Sequence, residues 1–184
     1  RFQVLEGKTI GIVGLGGIGR HVARFAKAYG MRVLATRRSV EKHESNVQGV
    51  DEIFPSSQQN EMLGESDFIV ISAMWTEETE GLINAAAFAS MKSGAVLINV
   101  ARGEIIEEPA LIEALRSGKL AGAYLEVYKD DFRSPPNPEL AELPNVVITP
   151  HMSIWQDIDQ NFSIQLFCSN LSHFLKNEPL ENVV

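Results

Sequence analysis

Short, nearly continuous apolar runs recur along the chain, and most are followed by a stretch whose apolar residues return at helical spacing. Residues 10–13, 31–35, 68–72, 95–100, 122–127 and 146–149 predict strands. Their apolar character on both faces fits strands covered above and below, as in a parallel sheet flanked by crossover helices. Helices are predicted over residues 21–29, 84–91 and 107–117, with a shorter helical piece ending at residues 61–64. Pro109 falls in the first turn of its helix, where a missing N–H costs little, and Gly118 supplies a C-terminal stop. The alternation predicts an α/β fold, a three-layer doubly wound parallel sheet.

The pattern changes after the fifth strand. Residues 129–143 are rich in proline and acid and read as a loop with a short turn inside; loops of this length in such folds often cover sites. Residues 154–175 read as one long helix, in which Ile154, Ile158, Phe162, Leu166 and Phe174 include an i+4 ladder facing an apolar surface. Core packing accounts for that stripe without a ligand.

The first candidate chemistry lies between the first strand and the first helix. Gly14, Gly16 and Gly19 form G-x-G-x-x-G between residues 9–13 and the predicted helix. In a Rossmann dinucleotide-binding domain the first glycine permits a tight turn, the second lets the backbone approach a pyrophosphate, and the third allows close helix–strand packing. The phosphates would meet backbone N–H groups at the helix N-terminus. Gly17 and Ile18 join this set as candidate contacts. About 20 residues on, a carboxylate would be expected to bind the ribose of NAD. The chain instead has Thr36-Arg37-Arg38-Ser39, with no acid before Glu41. Two guanidinium groups suit a 2′-phosphate, and Thr36 or Ser39 would add a hydroxyl. The reading favours NADP(H) and leaves NAD(H) open.

Composition narrows the classes. At 184 residues, 45% of them hydrophobic, the chain is long enough for one sizeable core. A formal charge of −8 argues against a nucleic-acid surface. No apolar run reaches the roughly 20 residues needed to cross a bilayer, which with a single cysteine, Cys168, gives a cytoplasmic expectation. No grouping has metal-ligand spacing. The chain opens on Arg1 rather than methionine, and is expected to be a piece of something longer.

Three later segments extend the glycine signal: Asn99-Val100-Ala101-Arg102-Gly103, Gly122-Ala123-Tyr124-Leu125-Glu126-Val127-Tyr128 and Thr149-Pro150-His151. With Gly7-Lys8-Thr9-Ile10-Gly11-Ile12-Val13-Gly14-Leu15-Gly16 they make essentially the whole chain resemble the cofactor-binding domain of the D-isomer-specific 2-hydroxyacid dehydrogenases, tail included. The resemblance implies a two-domain, dimeric enzyme that reduces small 2-keto acids or oxidises D-2-hydroxy acids. It implies a dinucleotide-binding domain over residues 1–153. Residues 154–184 form a helix and tail that pack on it or return to a missing substrate domain. The alternative reading is a dinucleotide-binding regulatory or interaction module with weak or lost catalysis.

Residue by residue, the resemblance puts the substrate-binding arginine at Arg102 and the acid/base histidine at His151. A guanidinium suits a 2-oxo carboxylate and a developing alkoxide, and an imidazole ordinarily titrates near neutrality. Ala73, Met74, Val100, Ala101, Arg102 and His151 border the cofactor. The chain departs from the family in two carboxylates. Asp131 stands where the family usually has glutamate as the histidine's partner, with Asp130 as rival. Glu126 stands where it usually has aspartate holding the nicotinamide carboxamide. Met74 replaces a common proline; it and Trp75 either line the cleft or pack in the interior, and Thr76 and Thr79 cap or support the next turn.

Overall fold

The computed structural model describes residues 4–47, 49–153 and 161–183, with side chains in its last helix described from Ser163. The chain divides into two compact units, Arg1–His151 and Met152–Val184. In the first, β1 (Thr9–Val13), α1 (Gly17–Ala28) and β2 (Arg32–Thr36) are followed by β3 (Glu44–Val47), β4 (Val50–Phe54), α2 (Gln59–Glu65) and β5 (Phe68–Ile71). Then come α3 (Ala85–Ser90), β6 (Ala95–Asn99), α4 (Glu108–Arg116), β7 (Leu120–Leu125), α5 (Pro138–Ala141) and β8 (Val146–Ile148).

The strands form one sheet in the order β3-β4-β2-β1-β5-β6-β7-β8. Every pairing is parallel except β3 with β4, so the sheet is mixed rather than wholly parallel. From β1 the chain winds outward in both directions, the doubly wound Rossmann-like arrangement. Such a sheet has a switch point at β1, with β2 on one side and β5 on the other.

Alternation along the strands builds three layers. Ile10, Ile12, Val33, Ala35 and Val70 cluster with Ala23 and Ala26 of α1. Val13, Leu34, Ile69, Ile71 and Leu97 cluster instead with Met62, Leu63, Phe88, Leu111 and Leu115 of α2, α3 and α4. Successive residues of one strand therefore serve opposite cores, which is why the runs are apolar throughout.

Two strands lack that signature. The β3 sequence, Glu44-Ser45-Asn46-Val47, is mostly exposed edge. β4 carries Asp51 and Glu52 in mid-strand, where they are charge-paired. Lys27 Nζ lies 2.8 Å from Asp51 Oδ1, and the Val33 amide donates to its Oδ2 at 2.7 Å. Arg32 bonds Glu52 on one side and reaches Glu65 at 2.7 Å on the other. His43 lies 2.8 Å from Glu52 and stacks on Phe54. α1 begins four residues earlier than its apolar spacing suggests, because it starts at the glycine turn itself.

These pairs make an acid-stability prediction. Arg32 holds the Glu52 carboxyl below its ordinary range, against partial burial. At Asp51 and Asp67 burial is the largest influence and opposes ionisation. It is outweighed by Lys27 and the Val33 amide at Asp51, and by the Thr9 amide, Lys92 and Lys8 at Asp67, so both are also lowered. Carboxyls with depressed native values stabilise the fold fully above their unfolded values, about pH 4, and lose that stabilisation as pH falls through the native ones. Arg32 is 41% exposed, so solvent screening limits its pairs to about 1 kcal/mol in all. Arg32→Gln should lower Tm at pH 7, and the gap from wild type should close by pH 2.5. A gap that persists in acid would sink the assignment.

In the second unit, α6 (Asn161–Leu175) is followed by a tail held to it by Asn170, whose side chain bonds the Glu181 amide at 2.8 Å and carbonyl at 3.0 Å. Of the apolar ladder, Ile154 and Ile158, and the Phe162 side chain, lie outside the described residues. Leu166 is half-buried, but Phe174 is 68% exposed rather than packed. No described helix is long and apolar enough to cross a membrane.

Candidate active site

Strand register brings the candidate residues to one edge. Val13 aligns with Thr36 and Ile71, Ile71 with Asn99, Asn99 with Leu125, and Leu125 with Ile148. The residues just beyond these ends are the glycine turn, Arg37, Ser72-Ala73, Val100 to Arg102, Glu126 and Thr149 to His151. Backbone bonds continue the ladder past the strands, from Ser72 N to Val13 O at 2.9 Å, Val100 N to Ile71 O at 3.2 Å and Glu126 N to Asn99 O at 3.0 Å. Ligands of open α/β sheets bind along this carboxyl edge, at the switch point.

At the glycine turn the chain passes very close to itself. Gly14 has φ +95, and an added Cβ would lie 2.6 Å from Ala73 Cα; at Gly19 it would lie 2.4 Å from Gly14 O. Packing thus requires both glycines. Gly16 and Gly17 differ, since a Cβ at either would meet nothing within 4 Å. No side chain caps α1, and its first turn holds no acid. Open space above a helix N-terminus left without capping side chain or acid fits a bound pyrophosphate. Ile18, 55% exposed, lies in that first turn.

At the end of β2, Thr36 is buried, and its carbonyl accepts from Gly14 N at 3.2 Å and Leu15 N at 3.0 Å. Arg37 is half-buried, while Arg38 and Ser39 are exposed. Arg38 Nη1 stands 3.8 Å from Glu78 Oε2. After β5, Ala73 packs beside the core, whereas Met74 and Trp75 are exposed, so interior packing is not their role. Thr79 ties the following turn, accepting from Thr76 N at 2.8 Å and donating to Met74 O at 2.7 Å.

Arg102 is exposed and donates from Nη1 to Ala101 O at 2.6 Å. Its backbone is set by Asn99, a fully buried amide that accepts from Ala101 N at 3.0 Å and donates to Arg102 O at 2.9 Å. Asn99 was visible in the sequence only as part of a motif; a buried amide at a strand end is the signal for such a clamp. Gly103 packs against the loop after β7, where a Cβ would fall 2.0 Å from the Tyr128 carbonyl carbon.

The histidine and its carboxylate meet directly. His151 Nδ1 is 2.9 Å from Asp131 Oδ2, with side chains only 17% and 10% exposed. Nδ1–H donating to the carboxylate fixes the ring's tautomer and orientation. The Phe132 ring lies 4.9 Å from the imidazole, centroid to centroid. Asp130, the rival partner, turns away toward Arg133, 3.7 Å distant. Glu126 is 2% exposed; its Oε2 accepts from the Tyr124 hydroxyl at 3.1 Å and from the Thr149 hydroxyl. Among the described residues, no trio of His, Cys, Asp or Glu is placed to hold a metal ion.

Comparison with known proteins bears on this edge. The profile described as D-isomer specific 2-hydroxyacid dehydrogenase, NAD binding domain matches residues 1–153. A D-3-phosphoglycerate dehydrogenase from Archaeoglobus fulgidus is 38% identical over 180 residues, covering 98% of this chain and 33% of that protein. A glyoxylate reductase from Thermococcus kodakarensis is 43% identical over 146 residues, covering 79% of this chain and 42% of the relative. The chain thus spans well under half the length of these two curated relatives. A solved D-isomer specific 2-hydroxyacid dehydrogenase from Xanthobacter autotrophicus Py2, in complex with NADPH and MES, superposes with a TM-score of 0.86 at 30% identity. That match covers all of this chain and 73% of the other.

Proposed function

The chain belongs to the D-isomer specific 2-hydroxyacid dehydrogenase family, and on that premise we propose that it is the coenzyme-binding part of an oxidoreductase acting on a small 2-keto or D-2-hydroxy acid. The observation that carries the reading is the half-buried His151–Asp131 pair at 2.9 Å, on the same sheet edge as the glycine turn and Arg102.

The nicotinamide coenzyme, when bound, supplies or accepts the hydride. In the reductive direction His151 donates a proton to the substrate oxygen as its carbon is reduced, and in oxidation it takes that proton back. Asp131 holds the imidazole ring and stabilises its cation. Arg102 binds the substrate carboxylate, and its planar donors steady the oxygen as negative charge develops there. Asn99 fixes the main chain from which Arg102 extends. Gly16, Gly17 and the start of α1 take the pyrophosphate. Ala73, Met74, Val100 and Ala101 border the coenzyme. The parent protein acts as a homodimer.

Arg37 and Arg38 make NADP(H) the preferred coenzyme, and the NADPH in the Xanthobacter autotrophicus structure supports that preference. Arg37 is the leading contact, because it directly follows the end of β2 at the carboxyl edge of the sheet. Calorimetry on the full-length parent should show tighter binding of NADPH than NADH. Arg37→Asp should weaken NADPH tenfold or more, about 1.4 kcal/mol, and leave NADH within a small factor. Wild-type preference for NADH, or equal losses for both, would overturn the assignment. A panel of 2-keto and D-2-hydroxy acids on the same full-length protein tests the activity itself.

A further inference from the structure

We propose that Glu126 is a positioning residue for His151, acting through the Thr149 and Tyr124 hydroxyls rather than on the coenzyme. This rests on the reading of His151 as acid/base.

β8 is three residues long and ends the sheet order, with β7 as its strand neighbour. Its far end carries Thr149-Pro150-His151, and His151 has φ +49, a left-handed conformation that non-glycine residues rarely adopt. Such a backbone must be held by what surrounds it. Two main-chain bonds do part of this: Thr149 N donates to Leu125 O at 3.0 Å, and His151 N to Glu126 O at 3.1 Å.

Side chains complete the hold. Tyr124 in β7 and Glu126 just past its end, two residues apart, share a face, and the β7–β8 register continued by one residue puts Thr149 beside Glu126. Tyr124 Oη stands 3.1 Å from Thr149 Oγ1, and both hydroxyls bond Glu126 Oε2, closing a triangle of three oxygens. A buried carboxylate needs such donors to offset lost hydration, so Glu126 and Thr149 lock each other two residues before His151. Asp131 then governs the ring and Glu126 the backbone that carries it. Aspartate, one methylene shorter, is what the resemblance leads one to expect here. The extra reach of Glu126 is used along the sheet, toward the β8 end.

The deciding variant is Thr149→Val in the full-length parent, because it breaks the link without changing any charge near His151. The carboxylates at issue, Asp131 and Glu126, both remain. Thr149→Val should lower kcat about tenfold and leave NADPH affinity within twofold. It should weaken the hydrogen bond from His151 Nδ1–H to Asp131, read by NMR as an upfield shift of the Nδ1 proton, as the ring loses register with Asp131. Thr149→Ser should restore both readouts, and Tyr124→Phe should give a smaller change in the same direction. Glu126→Gln combined with Thr149→Val should cost little more than either alone, since one link is broken once. If Thr149→Val does not melt cooperatively, Tyr124→Phe and Thr149→Ser carry the comparison. An unchanged Nδ1 proton shift with unchanged kcat in folded variants would overturn the proposal. So would a Glu126→Gln variant whose main defect is weaker coenzyme binding. The NMR shift needs no turnover, so a parent inactive on every 2-keto acid would refute the activity while still deciding the role of Glu126.

Discussion

Replacing His151 with asparagine should lower kcat for ketoacid reduction by about 10²–10⁴ while leaving coenzyme affinity nearly unchanged, because the amide keeps hydrogen-bonding capacity but cannot deliver a proton. The ring is held at 2.9 Å from Asp131 and is only 17% exposed, so the loss should come from missing proton transfer more than from a collapsed pocket. Asp131→Asn keeps the side chain's shape and removes its charge. The imidazolium then loses its stabilising anion, and kcat for ketoacid reduction should fall by about tenfold or more. Single-turnover kinetics on the full-length parent, with coenzyme affinity measured separately, check both. Near-normal turnover of His151→Asn across a broad pH range would remove His151 from the chemistry.

The fold was legible wherever a strand is covered on both faces. β1, β2, β5 and β6 announce themselves as apolar runs because alternate residues feed the two cores, while the buried apolar residues of β7 serve one core only. β3 and β4 were missed for the opposite reason. The polar edge of β3 has no apolar face, and Asp51 and Glu52 in β4 make sense only beside Lys27 and Arg32, contacts that require the fold first. The antiparallel hairpin that makes the sheet mixed was lost with them.

At the site, sequence could name residues at strand ends, because the mutually parallel strands put those ends on one edge. The resemblance favoured Asp131, but nothing in the residues themselves chose between it and Asp130. That choice depends on Asp130 adopting φ +57 and on the loop then turning only the second carboxylate to the imidazole. Nor could sequence find the tie from Glu126 to Thr149, which joins residues 23 apart through the register of β7 and β8. Asn99 was hidden similarly, since a buried amide that clamps its own turn has no periodicity to betray it.

Arg102→Ala should reduce kcat/KM for the keto acid by about 10²–10³ or more, the scale expected when a donor to a developing oxyanion is lost. The side chain is exposed at the sheet edge and its backbone is set by Asn99, so truncation removes the guanidinium without opening a core cavity. Coenzyme affinity should consequently change only slightly, and Tm should stay close to wild type. Arg102→Lys should recover little: a single ammonium keeps the charge but loses the planar fork that grips carboxylate and carbonyl oxygen together. The split between kcat and KM locates the contact. A rise in KM alone would mean that Arg102 serves only ground-state binding, whereas parallel losses in kcat and kcat/KM mean that it acts on the transition state. Initial-rate measurements over a range of keto-acid concentrations, at saturating coenzyme, separate these outcomes. Wild-type kcat/KM in Arg102→Ala would end its assignment to the substrate, and the Asn99 clamp would then be no more than the closure of a turn.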